Sequence, residues 1–548
     1  MHSECLSSPV ESATSLATSP SGHGVPPHTS SLYSAYLQDF SRVRNFYARP
    51  PTQSSWFAEE AAAMRYESDR RMRVAAILER QNRAFGSGEK TFAKLERFRA
   101  GACTAVTGQQ VGLFGGPLFA ILKALTAVRI AEEASRMGAD CVPVFWLATE
   151  DHDLAEVNHV MLPAGEASLT RLETSTAAAP DTPVGRVRFG PEIEPVVAQA
   201  ANLLGDGEMA ELLRSAYAPG TSFGEAFGRV FARLFRDWGV ILLDAADGEL
   251  HALAAPLYAD AIRQAATLNS GIAARGKELR DGGFHEQVKV TPSSTLLFGQ
   301  LKGARTPIRR EDGRFVLGTE KLSEAALLAR IVSAPEEFSP NVLLRPVVQD
   351  YLLPTLAYVG GPAEVAYFAQ AAVVYASLAG RVTPILPRLT LTLVEPQTKR
   401  LLERYEVSVA ETFQSPEQLR ALLAERALPA DLQKNFDSAA ACLEDALGAI
   451  TASLQRLDRT LVDAAANAGA KMRYQLDHLR TRAANAELRR SEILERHAAQ
   501  LSAALYPERN LQERVIAGIY FVARHPDLLD SLYRTASSTC LDHQVVFL

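Results

Sequence analysis

The stretch VTGQQVGLFGGP at residues 106–117 decides how the centre of this chain is expected to fold. It begins inside a short apolar, β-branched run at residues 102–107 and precedes a long helical pattern that extends to Met137. Four of its residues are glycine, which permits positive φ angles and close backbone approach, and its final proline suits the start of a helix. The stretch therefore predicts a tight turn that leads from a buried strand into a helix.

A second apolar run, at residues 141–147, completes a strand–turn–helix–strand unit around this turn. Such a unit implies two parallel strands joined by a right-handed crossover. The alternation of strands and helices continues in short apolar runs at residues 240–243, 342–348 and 355–359. The predicted fold class is therefore α/β, with a doubly wound, Rossmann-like parallel-sheet core over residues 101–395 and an inserted subdomain around residues 282–318.

The segments on either side of this core differ from it in composition. Residues 1–30 are rich in Ser, Thr and Pro, lack the apolar stretch of a secretory signal, and are expected to form a disordered tail. Residues 31–100 show apolar spacings of three and four, which predicts a helical lead-in whose first helix ends at Pro50 and Pro51. Residues 506–548 are expected to return to the core.

A leucine repeat predicts a helical coiled-coil domain over residues 396–505. Spacings of four and three alternate along Leu443, Leu447, Ile450, Leu454, Leu457 and Leu461. A similar pattern follows residue 476, and Asn467 and Gly469 indicate a hairpin turn at residues 464–470. Each arm of about 30 residues would be roughly 45 Å long. This length favours a homodimer formed through the coiled coil, and the alternative is an antiparallel arm that packs on its own chain.

The overall composition argues against several classes of protein. Of the 548 residues, 47% are hydrophobic and 22% are charged, which is typical of a globular chain with several domains. The net charge of -6 argues against nucleic acid or an anionic membrane as a partner, and no apolar run is long enough for a spanning helix. The five cysteines are widely separated and include no Cys-x-x-Cys pair, which argues against a disulfide framework and favours a cytoplasmic location.

The Gly-rich turn is the first candidate binding site. Free N–H groups at the start of a helix bind anions, so a phosphate or carboxylate is expected there. The predicted binding residues are Thr107, Gly108, Gln109, Gln110, Gly115, Gly116 and Lys123. The turn matches neither the G-x-x-x-x-G-K-[ST] nor the G-x-G-x-x-G nucleotide loop. The alternative is a strand-to-helix turn that binds no ligand.

An acidic cluster directly follows the second predicted strand. It consists of Glu150, Asp151, His152 and Asp153, with Glu156 and His159 close behind. Because ligands of open α/β sheets bind beyond the carboxyl ends of the strands, this cluster and the Gly-rich turn are expected to face one crevice. Acids beside a histidine suit the binding of an amine or general acid–base catalysis. A metal site at His152, Asp153 and His159 is one alternative, and a solvated acidic loop is another.

A third candidate repeats the pattern of the first. The segment YVGGPAE at residues 358–364 again joins an apolar run to a Gly-Gly-Pro turn and a helix. Its predicted substrate-binding residues are Gly360, Gly361, Glu364 and Tyr367. Glu364 either recognises an amine or complements the helix dipole. His285 is a secondary candidate, since a single histidine more often serves as a structural hydrogen-bonding group.

Together these segments resemble the hallmark motifs of the BshC family, the cysteine-adding enzymes of bacillithiol biosynthesis. The matching motifs are TGQQ at 107–110, GGP at 115–117, VPVFW at 142–146, EDHD at 150–153, LLDA at 242–245, GGPAEVAY at 360–367 and LQER at 511–514. They occur in the family's order and cover nearly the whole chain after Ser31. One departure is SST at residues 293–295, where a more polar segment is expected.

The resemblance implies a Rossmann-like core with inserted connecting segments and a coiled coil that pairs two subunits. It also implies a ligase that joins cysteine to glucosaminyl-malate, with ATP or ADP bound and no metal assigned. In this hypothesis the Gly-rich turn holds a phosphate or carboxylate, Glu150, Asp151 and Asp153 orient an ammonium group, and His152 accepts a proton. The rival functions are a metal-dependent hydrolase that uses His152, Asp153 and His159, and a non-enzymatic coiled-coil protein that binds a nucleotide.

Overall fold

The chain folds into two compact units in the computed structural model, which describes residues 13–15, 29–52, 54–490, 492–535 and 541–548. The core unit comprises Met1–Leu162, Thr170–Leu391 and Glu513–Gln544. The helical unit comprises Pro163–Leu169, Thr392–Gln512 and Val545–Leu548. Most of the predicted disordered tail, at residues 1–12 and 16–28, lies outside the described residues. Its described residues Ala13–Ser15 form a short strand paired with Gln544–Phe547, so the prediction of disorder is wrong there.

The core unit is built on five parallel strands in the order β5-β4-β1-β2-β3. The strands are β1 (Cys103–Gln109), β2 (Cys141–Leu147), β3 (Ile241–Asp244), β4 (Thr355–Gly360) and β5 (Ile385–Pro387). Their nearly continuous apolar sequences are buried, as expected of a parallel sheet that is covered on both faces. The helix Leu118–Arg136 connects β1 to β2, so the predicted βαβ unit and the Rossmann-like fold class are confirmed.

The strand predicted at residues 342–348 is wrong, because Arg345–Leu352 forms a helix. The side-chain oxygen of Asn341 accepts hydrogen bonds from the N–H groups of Leu343 and Leu344, each at 3.0 Å. This arrangement starts a turn of the backbone. Pro346 follows in the first turn of the helix, where a missing N–H costs nothing. Local hydrogen bonding therefore decides the structure of this apolar run.

The predicted insertion is a five-stranded antiparallel sheet, and it is more extensive than residues 282–318. In sheet order its strands are Glu320–Leu322, Arg314–Leu317, Ala304–Glu311, Ser294–Leu301 and Phe338–Pro340. Leu296 and Ile308 of this sheet belong to the same hydrophobic cluster as Val106 and Val144 of the parallel sheet. The two sheets therefore share one core.

Helices surround the two sheets of the core unit. Their bounds are Ser31–Gln38, Phe57–Ala63, Ser68–Phe85, Glu89–Ala100, Leu118–Arg136, Leu154–Val157, Ile193–Leu204, Glu208–Ala216, Phe223–Leu234, Gly248–Arg263, Ala265–Asp281, Glu324–Ser333, Arg345–Leu352, Pro362–Leu378, Gly518–Arg524 and Leu528–Thr535. The first helix ends at Gln38 and not at Pro50, because Asp39 leaves the helical region with φ -143°. Short strands at His159–Pro163 and Leu169–Glu173 pair with each other.

The helical unit confirms the predicted coiled coil. Its helices are Pro396–Tyr405, Pro416–Arg426, Ala430–Leu457, Leu461–Arg490 and Glu492–Leu505, and strands Leu391–Val394 and Gln544–Phe547 lie at its boundary. The two longest helices run antiparallel, since Arg473 pairs with Glu444 and Arg480 pairs with Asp437. No helix among the described residues is long and apolar enough to cross a membrane.

The hairpin turn lies at residues 458–460, so its prediction at residues 464–470 is wrong. Asp458 accepts hydrogen bonds from the backbone N–H and the hydroxyl of Thr460, at 2.9 and 2.8 Å, and these bonds hold the turn. Gly469 instead lies inside the second helix, where an added Cβ would lie 3.0 Å from Leu447 Cδ1. This glycine allows the two helices to approach closely.

Replacing Gly469 with Leu is expected to destabilise the hairpin by about 1–3 kcal/mol, because the larger side chain overpacks the contact with Leu447. Gly448 on the first helix is the matched control, since an added Cβ there meets no atom within 4 Å. Leu at position 448 is expected to be neutral or to stabilise by up to about 1 kcal/mol through its helix propensity. Urea unfolding followed by circular dichroism measures both changes, and equal midpoints would contradict the packing role of Gly469.

Candidate active site

A cavity of about 790 Å³ lies at the carboxyl ends of the parallel strands. Its lining includes Gly108, Gln109 and Gln110 from β1 and the loop after it, Glu150 and Asp151 after β2, and Gly361 and Glu364 after β4. Segments from all three predicted candidate sites therefore open into one cavity. This location is where an open α/β sheet binds its ligands.

A buried ion pair between Lys123 and Glu364 joins two strand-to-helix corners at this cavity. Lys123 Nζ lies 2.5 Å from Glu364 Oε2, and it also donates hydrogen bonds to the Gly108 carbonyl at 2.7 Å and to Gln109 Oε1 at 3.0 Å. These three acceptors use all three ammonium N–H groups. The side chain of Lys123 is only 4% exposed, so the ammonium positions β1 against the helix that follows β4.

Glu364 completes this network on the other side of the ion pair. Its carboxylate accepts hydrogen bonds from the Gly361 N–H at 2.7 Å and from the Tyr358 hydroxyl at 2.5 Å. Burial acts to raise the pKa of Glu364, but Lys123 and the Gly361 N–H outweigh it, so the pKa is lowered below its usual 4.5. Glu364 is therefore ionised at neutral pH, and its position caps the helix Pro362–Leu378.

Four arginines bring positive charge to the cavity, namely Arg305, Arg345, Arg388 and Arg514. Arg345 donates hydrogen bonds to the hydroxyl groups of Tyr358 and Tyr367, at 3.2 and 2.9 Å. Arg388 is paired with the fully buried Glu513 at 2.6 Å, whereas Arg514 lines the cavity beside it. Among the described residues, neither Arg345 nor Arg514 forms an ion pair with a carboxylate. Their charge remains available to an anionic ligand.

The acidic cluster divides between the cavity and its surroundings. Asp151 accepts a hydrogen bond from Gln110 at 2.7 Å and lies 3.6 Å from Arg305 Nη1. The same Arg305 atom lies 3.1 Å from Nδ1 of His152, so this nitrogen accepts a hydrogen bond from the guanidinium. His152 is not among the lining residues, whereas Glu150, Asp151 and Glu156 are. The geometry therefore places carboxyl groups, rather than the imidazole, at the cavity.

Asp153, His159, His285 and Gly360 lie outside the lining of the cavity. Asp153 caps the short helix Leu154–Val157, His159 Nδ1 lies 3.3 Å from Asn158 Oδ1, and His285 Nε2 lies 2.8 Å from Gln287 Oε1. Gly360 ends β4, and Tyr367 does line the cavity. In the part of the chain that the structure describes, no group of three His, Cys, Asp or Glu side chains could hold a metal ion.

Three N–H groups of the Gly-rich turn and the start of the next helix are paired within the protein. The N–H groups of Gly115 and Gly116 donate to the carbonyls of Gly112 and Leu113, and the Leu118 N–H donates to the carbonyl of Ile516. Gly115 and Gly116 have φ angles of 88° and 72°, so both are needed for the turn itself. Thr107 is also buried and donates its hydroxyl to the Val359 carbonyl.

Sequence reasoning missed several residues that shape the cavity. Arg305 comes from the antiparallel sheet and Arg345 from the helix that was predicted to be a strand. Nothing in their local sequence distinguishes them from surface arginines. Arg514 belongs to the LQER motif at residues 511–514, and this match could have drawn attention to it.

Replacing Glu364 with Gln is expected to lower the free energy of unfolding by about 3–5 kcal/mol at pH 7, because Lys123 loses its counter-charge inside the core. The folded-state pKa of Glu364 is lowered, so the carboxylate stabilises the protein above pH 4.5 and this stabilisation is lost as the pH falls. The difference between wild type and E364Q should therefore be constant between pH 7 and pH 4.5 and should be smaller at a pH well below 4.5.

The matched control for this prediction is Glu249→Gln, which removes an exposed ion pair with Arg80. This change is expected to cost less than about 1 kcal/mol at either pH. Urea titrations at the two pH values measure all three proteins. A pH-independent cost in E364Q would show that the ionised pair does not stabilise the corner.

Comparison with known proteins places these features in a family. Residues 24–389 match "Bacillithiol biosynthesis BshC, N-terminal Rossmann-like domain", and residues 391–548 match "Bacillithiol biosynthesis BshC, C-terminal coiled-coil domain". A "Putative cysteine ligase BshC" from Koribacter versatilis is 46% identical over 95% of this chain and 98% of that relative. Proteins of the same name from Solibacter usitatus and Salinibacter ruber are 35% and 33% identical, over 95% and 99% of this chain and 98% and 100% of their own length. The chain therefore belongs to the BshC family of bacillithiol biosynthesis.

Proposed function

We propose that this chain is a ligase that joins cysteine to glucosaminyl-malate in bacillithiol biosynthesis, with ATP as co-substrate. Membership of the BshC family supports the proposal, since similar proteins carry the name of a cysteine ligase. The observation that carries it is a single cavity that presents arginines without an ion pair together with carboxyl groups. Such a cavity suits a substrate with carboxylates on one part and an amine on another.

Arg345 and Arg514 are the proposed ligands of the malate carboxylates. The hydrogen-bond partners of Arg345 are two tyrosine hydroxyl groups and the side-chain oxygen of Gln349, which fix the guanidinium without neutralising its charge. Burial and the neighbouring Arg388 lower the pKa of Arg514, so an anion would relieve the repulsion between these two side chains. Guanidinium groups bind planar carboxylates through two parallel hydrogen bonds.

Glu150 and Asp151 are the proposed ligands of the glucosamine amino group. Both carboxyl groups line the cavity, and Gln110 fixes the orientation of Asp151. Asp153 and His159 are not part of this proposal, because neither lines the cavity. His152 is left out as the proton acceptor, since its Nδ1 already accepts a hydrogen bond from Arg305.

ATP is the proposed source of free energy. Joining a free carboxylate to an amine is uphill in water, so the cysteine carboxylate requires activation before the amine attacks it. The Gly-rich turn has no place in this part of the proposal, because the N–H groups of Gly115, Gly116 and Leu118 are paired within the protein. The proposed location is the cytoplasm, where ATP and cysteine are both available as substrates.

Incubation of purified protein with cysteine, glucosaminyl-malate and ATP is expected to give the amide product, detected by mass spectrometry. Arg345→Gln should raise the KM for glucosaminyl-malate by at least about 10-fold, because one charge-assisted hydrogen-bonding contact is lost. The KM for cysteine should stay unchanged. Arg309→Gln is the control, since Arg309 is exposed and lies outside the lining. An unchanged KM in R345Q would remove Arg345 from the malate site.

The same assay separates the rival functions. A non-enzymatic nucleotide-binding protein would bind ATP but form no cysteine-dependent product. A metal-dependent hydrolase would be inhibited by a chelator and would release smaller products from glucosaminyl-malate. Formation of the amide only when cysteine and ATP are both present would exclude each of these rivals.

A homodimer through the helical hairpin is a second proposal. Leu443, Leu447 and Leu454 of the predicted leucine repeat are half-buried, whereas Ile450 and Leu457 of the same repeat are 54% and 78% exposed. Further exposed apolar side chains of the hairpin are Met472, Tyr474 and Leu479. A two-helix hairpin covers one apolar stripe of each helix, and a second copy of the chain would cover the rest.

Replacing Ile450 and Leu457 with Glu together is expected to convert dimers into monomers, because charged side chains at a coiled-coil seam oppose association. Analytical ultracentrifugation at micromolar concentration measures the change. Glu at the exposed, already polar positions Gln455 and Arg459 provides the control. Wild-type protein that sediments as a monomer would refute the proposed dimer.

A further inference from the structure

Glu150 lines the cavity, and one oxygen of its carboxyl group is buried without a hydrogen-bond partner in the described part of the chain. Its side chain is 11% exposed, and Oε1 has no hydrogen-bond partner among the described residues. The neighbouring Asp151 differs, since it accepts hydrogen bonds from Gln110 and from the His152 N–H. A buried polar atom without a partner destabilises the folded protein, so its presence at a cavity indicates a functional role.

His251 lies directly behind Glu150. Its Nε2 is 3.4 Å from Glu150 Oε1, and its Nδ1 is 3.3 Å from the hydroxyl group of Tyr258 on the same helix, Gly248–Arg263. His251 and Tyr258 are 4% and 2% exposed, and neither lines the cavity. Glu150 therefore connects the cavity to a buried histidine whose ring is held by a tyrosine.

The proton affinity of this pair follows from its surroundings. The charged and titratable groups that face Glu150 from the elements around it are Asp151, Asp244, His251, Tyr258, Arg305 and Arg345. Burial raises the pKa of Glu150 to about 8, with Arg305 and Arg345 acting against it and Asp244 and Asp151 adding to it. Burial lowers the pKa of His251 to about 4, although a hydrogen bond to the Phe338 backbone, Asp247 and Glu336 act against this and Arg186 adds to it. His251 is therefore neutral, and Glu150 exchanges its proton near neutral pH.

We propose that Glu150 is the catalytic base of the ligation and that His251 is the residue that positions it, an inference that rests on the proposed function. The glucosamine nitrogen attacks the carbonyl carbon of ATP-activated cysteine and forms the C–N bond. The bond from this carbon to its oxygen leaving group breaks, and the electron pair departs on that oxygen. The nitrogen gives up its proton to Glu150, whose unpaired oxygen faces His251.

The pH dependence of the reaction tests this assignment. In wild type, kcat should rise with pH to a plateau, with a midpoint near pH 8, as Glu150 loses its proton. Glu150→Gln keeps the shape of the side chain but cannot accept a proton, so it should lower kcat by at least about 100-fold and leave the KM for cysteine unchanged. E150Q with wild-type kcat would overturn the proposal.

His251→Leu tests the positioning role, because it removes the imidazole dipole that faces the carboxylate. The midpoint of the kcat profile should move to higher pH in H251L. His497→Leu is the matched control, since His497 is also buried against a tyrosine, with Nδ1 2.7 Å from the Tyr405 hydroxyl, but lies in the helical unit. An H251L profile that coincides with those of wild type and H497L would overturn the role of His251.

Infrared difference spectroscopy gives a second readout that does not require turnover. A protonated carboxyl band should titrate near pH 8 in wild type, disappear in E150Q and shift its midpoint in H251L. If wild type forms no product from cysteine, glucosaminyl-malate and ATP, the proposed function fails. The infrared titration then tests by itself whether His251 controls the proton affinity of Glu150. A Glu150 midpoint in the ordinary range for glutamate would then overturn the pairing of Glu150 with His251 as well, and a midpoint near pH 8 that moves in H251L would support this pairing while the role in ligation fails.

Discussion

The buried ion pair of Lys123 and Glu364 is the interaction on which the cavity depends. Placing two opposite charges in a protein interior is favourable only when hydrogen bonds satisfy both groups, and here they do. The ammonium binds the Gly108 carbonyl and Gln109, and the carboxylate binds the Gly361 N–H and Tyr358. The pair therefore fixes the distance between the end of β1 and the end of β4. The arginines and acids around the cavity take their positions from these two corners.

The sequence allowed the fold and the convergence of three segments to be predicted, because both depend on local patterns. Apolar runs of strand length, glycines at turns and the rule that parallel strands end on one edge suffice for Gln110, Asp151 and Gly361 to meet. The partners of these segments could not be predicted in the same way. Arg305 and Arg345 come from elements distant in sequence. Both act against the burial that raises the pKa of Glu150, and Arg305 also donates a hydrogen bond to His152.

The Gly-rich turn and the helical hairpin illustrate a second limit of sequence reasoning. A glycine can be required for a positive φ angle, for close packing or for ligand binding, and the spacing of glycines in the sequence does not distinguish among these requirements. Gly115 serves the turn, with its φ of 88°, and Gly469 serves the contact with Leu447 inside a helix. At both positions the decisive neighbour lies on another element, so the three-dimensional contact was required to assign the role.

The pairing of the Gly-rich turn also has a consequence for the synthesis of the protein. The Leu118 N–H donates to the Ile516 carbonyl, and the Gly116 carbonyl accepts from the Gly518 N–H, so this corner is completed by residues near the carboxyl terminus. Glu513, which neutralises Arg388, comes from the same late segment. During translation the parallel strands emerge before this segment is synthesised. The corner and the ion pair of Arg388 are therefore completed only after this late segment has left the ribosome.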